Sequence, residues 1–78
     1  MNRIELEKAL QEKAINPRAY SLGGGLPNEQ YVLAEEEGKW LVYYSERGQR
    51  SGLKVFDSED SACRYFLKEL SEDSSTQT

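Results

Sequence analysis

The chain has 78 residues, 37% of them hydrophobic, with 14 acidic and 10 basic side chains and a net charge of −4. That length fits one small domain with a thin core, since a chain of this size buries only about 60% of its unfolded surface. The single cysteine and the lack of histidine exclude a disulfide framework and argue against a zinc site, so no metal is expected. No apolar run reaches the ~18 residues of a membrane span, and Met1-Asn2-Arg3-Ile4-Glu5 lacks the apolar stretch of a signal peptide. The expectation is a soluble, cytoplasmic protein. Its acidic balance opposes nucleic acid and anionic membranes as partners and suits a basic protein.

Residues 3–15 read as a helix, with Leu6, Leu10 and Ala14 on one stripe, ended by Asn16-Pro17. Residues 18–22 are a short extended segment. Gly23-Gly24-Gly25 and Leu26-Pro27-Asn28-Glu29 follow as a connection and a turn. The glycine triplet is no phosphate loop, because it leads into Leu26-Pro27 and a strand rather than into a helix. No cofactor is implied.

Residues 30–35 and 39–46 read as strands joined by a hairpin at Glu36-Glu37-Gly38-Lys39, with Gly38 free to take positive φ. A second tight turn at Arg47-Gly48-Gln49 leads to a strand over 50–56, with Leu53 and Val55 on one face. Asp57 or Ser58 caps a second helix, and Glu59 and Asp60 suit the positive end of its dipole. Its apolar stripe is Ala62, Cys63, Phe66, Leu67 and Leu70, with Tyr65 off the stripe. From Ser71 to Thr78 no apolar side chain remains. That segment reads as a disordered polar tail on a domain spanning 1–70. The sum is an α+β domain in α-β-β-β-β-α order, an antiparallel sheet of three to four strands with two helices on one face.

The central strand carries apolar side chains on both faces: Trp40, Val42 and Tyr44 on one, Leu41 and Tyr43 on the other. With two helices to cover one face, the other is expected to expose aromatic surface of the kind that marks recognition sites. The competing reading makes Trp40 and Tyr44 core and Tyr43 an ordinary half-exposed sheet residue. Tyr43, Glu46 and Arg47 place interface-favoured side chains near one turn, although composition favours the plainer reading in which Glu46 and Arg47 only decorate a hairpin. Glu35, Glu36 and Glu37 could steer a basic partner or form a solvated turn. Asp57, Glu59 and Asp60 are better explained by capping. Cys63, on the apolar stripe, reads as a buried structural cysteine. Without histidine there is no cysteine–histidine or serine–histidine pair, and no carboxylate spacing points to catalysis. A helix, three strands and a helix is also the order of double-stranded RNA-binding domains. Those need basic residues where this chain has Asp57, Glu59 and Asp60.

Trp40-Leu41-Val42-Tyr43-Tyr44-Ser45-Glu46-Arg47-Gly48, then Phe56-Asp57-Ser58-Glu59 and Ala62-Cys63-Arg64-Tyr65-Phe66, resemble small α+β immunity proteins of bacterial polymorphic toxin systems. Gly25-Leu26-Pro27 and Tyr31-Val32-Leu33 fit the same pattern, so the resemblance covers roughly residues 25–70. It implies a non-enzymatic protein that binds and neutralises a cognate toxin domain in the cytoplasm. It supplies no contact residues. On the physical reading the partner-binding residues are Tyr43, Glu46 and Arg47, with Glu35, Glu36 and Glu37 steering. The alternative is a structural or regulatory module that forms homodimers through an exposed sheet face.

Overall fold

A computed structural model describes residues 1–76, and of Ser74 it describes the backbone. The first helix, α1 (Arg3–Glu12), starts at an Asn2–Glu5 capping box, in which each side chain accepts from the other residue's backbone N–H. It ends three residues earlier than the proline alone suggests. Ala14 takes a left-handed φ of +57°, its N–H bonds to the carbonyl of Gln11, and that of Ile15 bonds to Leu10. This is a Schellman stop, with the buried Ile15 as its apolar residue. Alanine sits where glycine is favoured. Ala14→Gly should therefore stabilise the fold by about 0.5–1 kcal/mol, a relieved left-handed alanine outweighing the extra chain entropy. Urea denaturation measures it, and an unchanged or lowered midpoint would show that Ala14 carries no strain.

After a 3-10 turn at Pro17–Ala19 come β1 (Tyr20–Ser21), β2 (Gln30–Glu36), β3 (Lys39–Glu46) and β4 (Gln49–Phe56), then α2 (Glu59–Glu72). The strands form one sheet in the order β1-β2-β3-β4. The fold is the expected α+β arrangement, and the sheet is mostly antiparallel. The exception is β1, which runs parallel to β2 with Tyr20 opposite Tyr31. Both hairpins turn on two residues of positive φ, Glu37-Gly38 and Arg47-Gly48, the pattern of type I′ turns.

Both helices pack on one face. Leu6, Leu10 and Ile15 meet Ala62, Cys63, Phe66 and Leu70 over Leu33 and Val42, with Trp40 half-buried at the margin. The two helix starts are tied together, the Arg3 N–H donating to Glu59 at 3.0 Å and the Met1 amino group donating to Asp60 at 2.5 Å, while Arg64 pairs with the same Asp60 one turn along α2 at 2.8 Å. Ser58 is the cap of α2, accepting from the Ser61 N–H. No helix among the described residues is long and apolar enough to cross a membrane.

The disordered tail expected from Ser71 is not what residues 71–76 form. The second helix runs on to Glu72, a 3-10 turn covers Ser74–Thr76, and Thr76 is buried. Its hydroxyl donates to the carbonyl of Leu70 at 2.7 Å, and its own carbonyl accepts from the Asn16 N–H at 2.6 Å. Polar composition misled here because hydrogen bonds, rather than apolar burial, hold the segment. Residues 77 and 78 of the expected tail lie outside the described residues.

Candidate protein-binding face

The face of the sheet opposite the helices has its own small core: Val32, Ala34, Leu41 and Tyr43, all buried. Residues 22–29, which carry the chain from β1 to its parallel neighbour β2, lie over it. Gly24, at φ +78°, comes so close to Ala34 that an added Cβ would sit 3.3 Å from the alanine methyl. The Tyr43 hydroxyl donates to the carbonyl of Gly25 at 2.6 Å. The glycine triplet is thus a tight crossover lid over the sheet. Its third member also has positive φ, a conformation glycine adopts without steric cost.

Tyr43 is therefore only 1% exposed, and the expectation of an open aromatic face is overturned. A loop covers what the helices do not. The Arg50 guanidinium closes the remaining side, 4.6 Å from the centre of the Tyr43 ring, and reaches Glu36 with both terminal nitrogens, at 2.5 and 3.4 Å. Arg50 thus bridges β4 to β2 across β3. The Glu36 carboxylate beside it favours its charged form.

The rest of this face is open and aliphatic. Leu53 is 46% exposed and Val55 58%, next to Leu41, which is itself nearly covered. Together with Glu36, Glu37, Lys39 and Arg50 they line a shallow concavity. A β-bulge creates this arrangement. The pairing shifts between Val42–Lys54 and Tyr44–Ser51, with Gly52 at φ +65°. The extra residue brings Arg50 onto the same face as Leu53 and Val55. Without it, strict alternation would put them on opposite faces. A glycine inside a strand pattern, here Gly52, is the sequence sign of such a bulge.

The six residues singled out from sequence do not come together. Glu35, Glu36 and Glu37 are exposed at the β2–β3 hairpin, and Glu46 and Arg47 are exposed at the β3–β4 turn. Those turns lie at opposite ends of β3, about 25 Å apart for an eight-residue strand. Within the triplet, Glu35 lies opposite Trp40 on the helix side, while Glu36 is engaged by Arg50. Tyr43 is removed from the list of contacts by its burial. Of the six, Glu36 and Glu37 border the concavity. Leu53, Val55 and Arg50 are the side chains that sequence reading did not select.

A second groove lies on the helix side, between α2 and β4, lined by Tyr31, Tyr44, Tyr65, Lys54 and Glu69. The Tyr31 hydroxyl donates to Asp73 at 2.8 Å, and the Tyr31 and Tyr44 rings meet edge to face at 5.1 Å. Burial first, then Asp73, pushes the Tyr31 phenol up to about 12. Tyr44 is raised by burial and Tyr65 by its hydrogen bond to Glu69. At neutral pH these phenols keep their protons, so none offers a nucleophile. Cys63 is similarly held as a thiol, pushed up to about 11 by burial and then by Glu59. Among the described residues no group of three or more acidic, cysteine or histidine side chains could hold a metal ion.

These shifts set the pH range of the fold. Tyr31 keeps its proton in the folded state where the unfolded chain has lost it, so stability should fall as pH rises from about 10 to 12. At the acid end, Asp73 is held below the usual carboxylate range by Ser75 and Tyr31, Asp60 by the amino group of Met1 and by Arg64, and Asp57 by Lys39. That contribution is present above the ordinary carboxylate pKa of about 4 and is lost as pH falls through the lowered values. Melting temperature against pH should show both limbs. In Tyr31→Phe the alkaline limb should be shallower, and an unchanged limb would assign it elsewhere.

No family model, curated protein or solved structure matches the chain. What the face can do follows from its own make-up. An aliphatic centre of Leu41, Leu53 and Val55 inside a rim of Glu36, Glu37, Lys39 and Arg50 has the layout of a protein–protein interface.

Proposed function

We propose that the chain is a non-enzymatic binding protein of the cytoplasm that neutralises a cognate toxin domain by holding it on the open face of β3 and β4. The observation that carries the binding reading is the exposure of Leu53 and Val55 side by side on a strand that the helices and the glycine lid leave uncovered. Scattered apolar side chains need no explanation, but paired ones beside a charged rim do. The net charge of −4 and the exposed carboxylates of Glu36 and Glu37 favour a partner of basic overall charge. The toxin reading is supported by the resemblance to immunity proteins over residues 25–70. Such proteins act by covering or distorting an active site, which requires a firm surface and no chemistry of their own.

The test has two stages. The protein is used to capture its partner from cells that encode it, in parallel with a Leu53→Asp/Val55→Asp variant. Both positions are exposed, so the variant should keep its melting temperature within a few degrees. The captured protein is then expressed in a host with and without this chain. The expected result is growth arrest relieved by the natural chain and not by the variant. A partner harmless on expression would remove the toxin reading, and capture indifferent to the two substitutions would remove the open face.

A further inference from the structure

The outer edge of β4 adds a second, directional feature to this face. The sheet order leaves two edges: β1, two residues long, and β4, eight residues long and bonded on one side only, to β3. Every residue of β4 except Phe56 is exposed. The second helix reaches this strand at its end, where the Tyr65 ring sits 5.2 Å from that of Phe56. Natural edge strands are commonly protected by bulges, charges or covering elements. Here the bulge at Gly52 interrupts the first half of the strand and leaves Leu53–Phe56 regular, with residues 54–56 in register with 40–42. Along that stretch Leu53 and Val55 face the open side, and Lys54 faces the helix side with Phe56.

The charge of this edge is opposite to that of the whole molecule. Residues 47–56 carry Arg47, Arg50 and Lys54 and no acid, in a chain whose net charge is −4. Arg50 is committed to Glu36 and the Tyr43 ring. Arg47 and Lys54 have no carboxylate within ion-pair distance among the described residues. Glu69, which lines the same groove as Lys54, is hydrogen-bonded to Tyr65.

We infer that β4 receives an extended, acidic segment of the partner as a fifth strand. The segment's apolar side chains lie beside Leu53 and Val55, and its carboxylates lie beside Lys54. Backbone pairing supplies the attachment in strand addition, and side-chain alternation supplies the selectivity. Neighbours on the same face of adjacent strands interact directly, so apolar beside apolar and acid beside lysine is the matching pattern. A second copy of this chain fits less well, because it would set one basic, acid-free strand against another. The inference rests on the proposed reading that this side of the molecule holds a protein partner. It adds that the contact is made by an acidic strand even if the partner is basic overall.

The probe is a capped heptapeptide alternating valine and glutamate, with one alternating valine and lysine as control, each titrated into the 15N-labelled protein. The expected result is amide shifts concentrated at residues 53–56, with the lysine peptide at least tenfold weaker. Lys54→Glu should reverse that preference while leaving the remaining amide spectrum in place. Equal binding of the two peptides, shifts centred away from β4, or no shifts with either peptide at millimolar concentration would overturn the inference. So would a dimer of this chain, seen by light scattering, whose contact maps to β4. Failure here with partner capture still dependent on Leu53 and Val55 would leave the open face as the binding surface without strand addition. Failure of both would remove the whole reading.

Discussion

Replacing Tyr43 by alanine should cost about 3–5 kcal/mol, the range for removing a large buried aromatic side chain. The ring is 1% exposed, it fills the space between Val32, Ala34 and Leu41, and its hydroxyl fastens the glycine crossover through Gly25. Arg50 would also lose the ring it lies against. Small domains have roughly 5–15 kcal/mol in total, so the variant should be partly unfolded at ambient temperature or melt far earlier. Tyr43→Phe separates the two contributions. It keeps the ring and strands the Gly25 carbonyl, which should cost about 1–3 kcal/mol. Urea denaturation of the three proteins reads both. Near-zero cost for the alanine variant would mean that the glycine crossover does not cover this face, and it would return Tyr43 to the set of exposed contacts. The prediction also bears on binding: loss of partner affinity in Tyr43→Ala would report a collapsed face, whereas loss in Leu53→Asp/Val55→Asp would report a lost contact.

Much of the fold was readable because its signals are local. The two Gly-containing hairpins, the alternation along residues 39–46 and the apolar stripe of α2 each follow from spacing within a few residues. The candidate site was less readable because its determinants are not local. A strand apolar on both faces needs two covers, and counting helices finds one. The second cover is a loop whose glycines approach Ala34 closely, an approach that the triplet permits but does not announce. The single inserted residue at Gly52 then decides which side chains of β4 share the face with Tyr43. Leu53, Val55 and Arg50 become neighbours only after both devices are in place. Glu46 and Arg47 look like anchors by residue type, yet their turn is a strand's length away from the acidic hairpin. Arg47 itself sits at a left-handed φ of +52°, where asparagine or glycine would be the easier choice for turning the chain.

Removing residues 73–78 should lower stability by roughly 2–4 kcal/mol, although the segment has no apolar side chain. The deletion breaks three hydrogen bonds that tie separate parts of the chain: Tyr31 to Asp73 at 2.8 Å, Thr76 to the Leu70 carbonyl at 2.7 Å, and Asn16 to the Thr76 carbonyl at 2.6 Å. The Leu70 carbonyl is one of the last four of α2, which have no partner inside the helix and must find one beyond it. Asn16 follows the stop of α1, so the same short turn holds the ends of both helices against each other. For a domain of this size that loss corresponds to roughly 10–25 °C in melting temperature. Two further readouts tell capping apart from general tail packing. Thr76→Val keeps the shape and removes the hydroxyl, and should reproduce about 1–3 kcal/mol of the effect. The deletion also removes the Asp73 carboxylate that helps push the Tyr31 phenol up to about 12, so its stability should fall less steeply between about pH 10 and 12 than that of the full chain. A truncated protein that melts like the full chain at both neutral and alkaline pH would show that these bonds exchange with water at no cost. In that case the polar composition from Ser71 onward would be the better guide to the segment than its hydrogen bonds.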